Sequence, residues 1–304
     1  MDPGPETTMH DHGSPPGHRA GGRTAFVLAG GGSLGAVQVG MLLALTEAGI
    51  RPDMVVGASV GAINAAYFAG SPTVEGIHRL ADIWLGLRRR DVFPLAPVRG
   101  ALGALNRRSS LLRSSALRAL ILRAIPYLDL SEAEIPCHVV ATSVLDGEEV
   151  QLSSGPVVEA LLASTAIPAL FPPVLVGGRL LMDGAVGSNA PVSTAVALGA
   201  TRIIILPTGF TCAASQPPSG AIGLALHSVS LMTARQLRAD ITRFQGRVST
   251  LAVAPPLCPL RVSAYDFSQA RQLIDRTAQA TGEWLSSGGL DRSDIPMALR
   301  PHSH

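Results

Sequence analysis

The sequence predicts an α/β fold around a mainly parallel central sheet. Three observations carry that prediction: short apolar runs of strand length alternate with helical patterns, two of those runs enter small-residue turns that open helices, and no internal repeat or composition break divides the chain. The 304 residues, 47% of them hydrophobic, supply enough apolar surface for one large core.

The first unit runs from an apolar strand at 24–29 into Gly30-Gly31-Gly32, then into a buried helical pattern at 36–47. The second repeats this, with a strand at 53–57, a turn at Ala58-Ser59 and a small-residue helix at 60–69. Further strands are predicted at 137–142, 174–176, 180–182, 202–206 and 250–253. Amphipathic helices predicted at 221–244 and 265–284 read as cover for the core and leave oligomeric state open.

The ends read differently. Residues 1–22 contain no Val, Ile, Leu or Phe and are rich in Gly, Pro and His, so a disordered tail is predicted, with no apolar signal-peptide core. The domain is placed at 23–290, with a C-terminal tail at 291–304. A cytoplasmic location is expected, since no run of eighteen strongly apolar residues predicts a transmembrane helix. Cys137, Cys212 and Cys258 are odd in number and lack metal or redox spacing, and they read as reduced thiols.

Charge narrows the function classes. Charged residues make up 15% of the chain and the net charge is +2, which argues against a nucleic-acid partner. All 24 basic residues are arginine, and without lysine there is no Schiff-base chemistry, Walker-type phosphate lysine or Ser-Lys dyad. Nine of the arginines fall between positions 88 and 123 against one acid, Asp91, with leucines interleaved. This basic helical insertion at 88–125 reads either as a solvated face over the sheet edge or as a lid that meets an anionic membrane peripherally.

Gly57-Ala58-Ser59-Val60-Gly61 fits G-x-S-x-G, where a serine stands on a sharp strand-to-helix turn and Gly57 and Gly61 let the backbone bend. The alternative is an ordinary N-cap serine. The turn Gly30 to Gly35 offers backbone N–H groups for an oxyanion, and it also matches the dinucleotide pattern G-x-G-x-x-G. A dinucleotide site needs an acid at the end of the second strand, but Asp53 stands at the start of that strand, which ends in the serine turn instead.

A reactive serine requires a base. Five of the eight histidines lie in the terminal tails, and His78, His138 and His227 each read as packing or surface residues. A hydrolase triad of Ser59, Asp183 and His227 is disfavoured because fewer than forty ordered residues precede Ser59. Asp183 offers another route: residues 180–182 read as a buried strand delivering an acid into Gly184-Ala185, where a desolvated carboxylate can take the serine proton directly.

With these blocks in view, the chain resembles a bacterial patatin-like phospholipase. Gly30 to Gly35 resembles that family's oxyanion block, Gly57 to Gly61 its nucleophile elbow, and Asp183-Gly184-Ala185 its Asp-Gly-Gly/Ala block. The stretches Ser164 to Pro173 and Asn189 to Val192 are family-like as well, and the resemblance spans residues 24–285. It implies a three-layer α/β/α fold and a Ser59–Asp183 dyad that hydrolyses lipid acyl esters through an acyl-enzyme, with no metal or cofactor. It also implies oxyanion stabilisation by amides at Gly31, Gly32 and Ser33. Leu34 departs from the Arg or Lys often found there, and losing a donor from such a site costs about 2.7 to 4 kcal/mol. A lipid- or membrane-binding regulatory protein with little turnover is the competing expectation.

Overall fold

The computed structural model describes residues 22–93, 112–209, 220–258, 260, 262–292, 296 and 299. The expected N-terminal tail lies almost wholly outside the described residues, as do Cys212 and the arginines at 99, 107 and 108.

The chain folds as an eight-stranded sheet with helices on both faces. The elements run β1 (Thr24–Leu28), α1 (Ala36–Glu47), β2 (Met54–Ala58), α2 (Val60–Gly70), α3 (Val74–Gly86), α4 (Arg89–Val92) and α5 (Ser115–Ala124). They continue with β3 (Cys137–Ser143), β4 (Glu149–Leu152), α6 (Val157–Ser164), β5 (Val174–Val176), β6 (Arg179–Met182), α7 (Gly184–Gly187) and α8 (Val192–Ala197). The last are β7 (Arg202–Leu206), α9 (Gly220–Phe244), β8 (Thr250–Val253) and α10 (Ala270–Ser286). Strand order is β5-β6-β3-β2-β1-β7-β8, with β4 paired to β3.

Strands β3, β2, β1, β7 and β8 are mutually parallel, whereas β4 and β6 run antiparallel to β3, and β5 antiparallel to β6. Parallel central strands are buried on both faces, which is why β1 and β2 are continuous apolar or small-residue runs, and β3 is one apart from His138, with every position buried. Alternate residues build two cores. Phe26, Leu28, Val55, Val139 and Ile204 pack with α1, α2, α3 and α10 on one side. Ala25, Val27, Val56, Ile203 and Ile205 pack with Ala195 of α8 and Leu237 and Ile241 of α9 on the other. The result is the three-layer α/β/α arrangement.

Several sequence expectations need correction. Strand β4, with sequence Glu-Val-Gln-Leu, went unpredicted because its exposed polar positions make a weak apolar run. In β6 only Leu181 is fully buried, while Leu180 is 40% exposed, because β5 and β6 form a hairpin with one face in solvent. The last long helix begins at Ala270 and not at 265, because Asp266 closes a turn by accepting from the Ser268 amide and hydroxyl. Leu299, in the stretch expected to be a tail, is buried against the second core. Cys137 is a buried free thiol, and Cys258 is half-buried.

Candidate active site

The two strand-to-helix turns predicted to matter lie on neighbouring strands. The glycine turn follows β1 and the serine turn follows β2, and these strands pair in parallel from Ala25↔Met54 to Leu28↔Gly57. The register brings both turns to one end of the sheet. Ser59 occupies a left-handed conformation, φ 55° and ψ −129°, which costs a non-glycine residue about 1–3 kcal/mol and marks a backbone held by its surroundings. A Cβ on Gly61 would come within 2.3 Å of the Leu28 carbonyl oxygen, so α2 approaches the sheet only because that position is bare.

Ser59 heads α2, yet its side chain makes no capping hydrogen bond. Its Oγ donates instead to Asp183 Oδ2 at 2.7 Å, across 124 residues of sequence. Asp183 is 3% exposed, and its Oδ1 accepts from the Ala185 amide at 2.8 Å. Turn-closing and serine-binding therefore use different oxygens of one carboxylate. Burial pushes the Asp183 carboxyl up to about 6, against the pull of the hydrogen bonds from Ser59 and Ala185.

The main chain around both residues is tied down. The Ser59 amide donates to Ser164 Oγ at 2.9 Å, and Ser164 Oγ donates to the Val140 carbonyl at 2.6 Å. Thr142 Oγ1 donates to the Asp183 carbonyl at 2.9 Å and accepts from the Gly187 amide at 3.0 Å. Ser164 falls within the family-like stretch read from the sequence, whereas nothing in the sequence singled out Thr142. A second buried chain, also unread in the sequence, braces the glycine turn. Gln38 donates to the carbonyls of Ala29 and Leu206, Asn64 donates to Gly35 O and Gln38 Oε1, and Trp84 donates to Asn64 Oδ1.

The glycine turn itself sits against the dyad. A Cβ on Gly30 would meet Ser59 Cβ and Ala185 Cβ at 3.1 Å each. Gly30 donates to the Asn189 carbonyl at 2.9 Å and accepts from Thr208 Oγ1 at 2.6 Å. Of the three amides expected to bind an oxyanion, that of Ser33 is already engaged: it donates to the Ala264 carbonyl at 2.8 Å, and Ser33 Oγ donates to the Ser263 carbonyl at 3.0 Å. Among the described residues, the Gly31 and Gly32 amides make no hydrogen bond. Leu34 is buried at 5% exposure and packs in the core.

An apolar pocket opens at Ser59. Its walls include Ile63, Trp84, Val92, Phe93, Leu120 and Phe171, with Gly32 and Ser59 at the polar end. Val92 and Phe93 belong to the α4 turn, and Leu117, Leu120 and Ile121 to α5. The described parts of the basic segment are thus amphipathic walls of this pocket and not cover for a sheet edge. Arg88, Arg89, Arg90, Arg113, Arg118 and Arg123 remain exposed, and Arg118 pairs with Glu159 at 2.9 Å.

The histidines stand apart from this chemistry. His78 lines a separate groove between α1, α3 and α10. His138 is buried with Nδ1 2.7 Å from Gln151 Nε2, and the side chain of His227 lies outside the described residues. Asp53 accepts from the Thr24 amide at 2.8 Å, a structural role at the start of the sheet. Among the described residues, no helix is long and apolar enough to cross a membrane.

The chain is 30% identical over 192 residues to an uncharacterized NTE family protein of Mycobacterium tuberculosis, covering 59% of this chain and 50% of that one. It is 28% identical over 191 residues to patatin-like phospholipase domain-containing protein 7 of Rattus norvegicus, covering 62% of this chain and 14% of that one. The chain thus spans half or less of the length of these relatives. Among solved structures, human GIVD cytosolic phospholipase A2 aligns over 88% of this chain and 59% of its own at a TM-score of 0.46 and 15% identity, too loose a likeness to carry an argument. The family model for patatin-like phospholipase matches residues 26–196, which is more than half of the sequence and includes the glycine turn, Ser59 and Asp183, and the chain belongs to that family.

Proposed function

We propose that this chain is a serine acyl hydrolase acting on lipid esters, with Ser59 as nucleophile and Asp183 as general base. The observation that carries the reading is the 2.7 Å hydrogen bond from Ser59 Oγ to a buried carboxylate at the polar end of an apolar pocket. An acyl chain lies along the pocket with its ester carbonyl at Ser59. Asp183 accepts the Ser59 proton as Oγ bonds to the carbonyl carbon, and the Gly31 and Gly32 amides take the oxyanion. Collapse of the tetrahedral species breaks the ester C–O bond, and the leaving alcohol departs with the proton held by Asp183. Water then gives its proton to Asp183 and attacks the acyl-serine, and the fatty acid leaves as Ser59 Oγ recovers a proton. A carboxyl pushed up to about 6 is basic enough to do this and still ionised at neutral pH.

The test is acylation by a fluorophosphonate probe. Stoichiometric labelling at Ser59, with hydrolysis of a nitrophenyl acyl ester, is the expected result. One observation favours a second reading, a lipid-binding regulatory protein with little turnover: the Ser33 amide is engaged by Ala264 and does not face a substrate. Absence of probe labelling together with retained lipid binding in Ser59→Ala would select that reading.

A further inference from the structure

The described pocket walls are mostly hydrocarbon side chains, and no arginine, aspartate or glutamate is found among the described lining residues. A lipid's polar head therefore has to lie outside this pocket, at its mouth. The α4 turn contributes there: Val92 and Phe93 line the pocket, and the Phe93 amide donates to the Arg89 carbonyl at 2.7 Å, so Arg89 stands one helical turn before Phe93. Tyr265 packs edge-on against Phe93 with ring centroids 5.2 Å apart. Its own position is set by the oxyanion turn, because Ser33 holds both Ser263 and Ala264 through hydrogen bonds.

These contacts run without a break from the glycine turn through Tyr265 to Phe93 in the pocket wall, with Arg89 one helical turn before Phe93. The electrostatics agree. Burial and the Asp183 carboxylate push the Tyr265 hydroxyl up to about 12, and Arg89 opposes that rise, so the phenol feels the charges of both. The single acid of α4, Asp91, is occupied: it accepts from the Arg88 amide at 2.8 Å and lies 4.0 Å from Arg90 Nε. Arg89 has no ion-pair partner among the described residues.

We propose that Arg89 and Tyr265 form the head-group side of the site and select acyl esters whose leaving group carries an anionic phosphate over neutral esters of the same chain. This rests on the hydrolase reading above. The leaving oxygen must sit beside Asp183 to receive its proton, and a phosphate on the same leaving group then falls on the Tyr265 side of the mouth. There the phenol donates one hydrogen bond and the guanidinium offers its planar fork.

The test compares lysophosphatidic acid with the monoacylglycerol of the same acyl chain, both as monomers below their aggregation concentrations. The readout is the ratio of their kcat/KM values. Wild type should favour the anionic ester, and Arg89→Gln and Tyr265→Phe should each lower the ratio by about two- to fivefold, the scale of a solvent-exposed charged contact. Arg89→Lys should recover part of the preference, and Arg123→Gln, on the outer part of α5, should keep it. Equal losses on both esters, or an unmoved ratio, would overturn the proposal. So would a loss confined to substrate presented in vesicles, which would assign Arg89 to docking on a bilayer surface. A second arm measures lysophosphatidic acid binding to Ser59→Ala, with and without Arg89→Gln. If wild type hydrolyses neither ester, the hydrolase reading falls, while this arm still decides the anion site by whether Arg89→Gln weakens binding by the same factor.

Discussion

The hydroxyl of Ser164 accepts a hydrogen bond from the main-chain amide of Ser59 at 2.9 Å while donating its own proton to the Val140 carbonyl at 2.6 Å. A fully buried side chain thus fixes the backbone of Ser59, and in the proposed mechanism the oxyanion falls to the glycine turn because the serine's own amide is already engaged. Ser164→Ala leaves that amide buried without a partner, at a cost of about 1–3 kcal/mol. The expected outcome is a lower melting temperature and a fall in kcat larger than any change in KM, measured by thermal denaturation and steady-state kinetics on a nitrophenyl ester.

Removing either member of the dyad tests the chemistry itself. Ser59→Ala and Asp183→Asn should each reduce ester hydrolysis by about a thousandfold or more while the circular dichroism spectrum is kept, since groups that act as a unit lose most of their effect together. Residual turnover near wild type in either variant would remove that residue from the mechanism.

The Asp183 carboxyl makes a paired prediction about pH. As a base it must be ionised, so kcat/KM should fall as pH drops through about 6 and level off above it. Stability moves the opposite way. Its folded pKa lies above the unfolded value of 3.8, so between 3.8 and about 6 the folded state binds the proton more tightly, and this group's contribution to stability declines as pH rises through that window. Asp183→Asn lacks this liability: its melting temperature should exceed that of wild type above pH 6, with the gap closing toward pH 4. A pH series of melting curves for both proteins checks the sign.

Pocket length should be adjustable from α5. Leu120 is a half-buried wall residue, and Leu120→Trp places an indole where hydrocarbon would lie. Relative kcat/KM across nitrophenyl esters of increasing chain length should shift toward shorter chains. A uniform scaling of all esters would place Leu120 outside the acyl path.

Gly61→Ala probes the elbow. The added Cβ would press on the carbonyl oxygens of Leu28 at 2.3 Å and Ala29 at 2.6 Å, both backbone atoms with little room to yield. A destabilisation of roughly 3 kcal/mol or more is expected from denaturant unfolding, comparable to severe overpacking.

What the sequence disclosed, and what it withheld, follows from how local each signal is. Buried parallel strands and the glycine and serine turns leave their mark within a few residues, and β1, β2, β3 and β7 fall close to their predicted positions. The proximity of Ser59 and Asp183 was legible because each stands at the end of a strand entering a small-residue turn. Strand β4 was not, because a half-exposed antiparallel strand after an Asp-Gly turn has little apolar pattern to read. The leucines of the basic segment were visible as a periodic stripe, but which surface they face depends on Phe93, Phe171 and Phe267 meeting from distant parts of the chain. The Gln38–Asn64–Trp84 chain was hidden for the same reason, since isolated polar residues within apolar helices give no sign of their partners.

The adjacency of β1 and β2 has a consequence for how such a protein diversifies. Parallel neighbours sit at a spacing of about 4.8 Å that the peptide hydrogen bond imposes on every sheet. The gap between the glycine turn and the serine turn is therefore inherited from the backbone and not tuned by side chains. Drift in the roof made by α4 and α5 can remodel which molecules enter without disturbing the distance at which they are met.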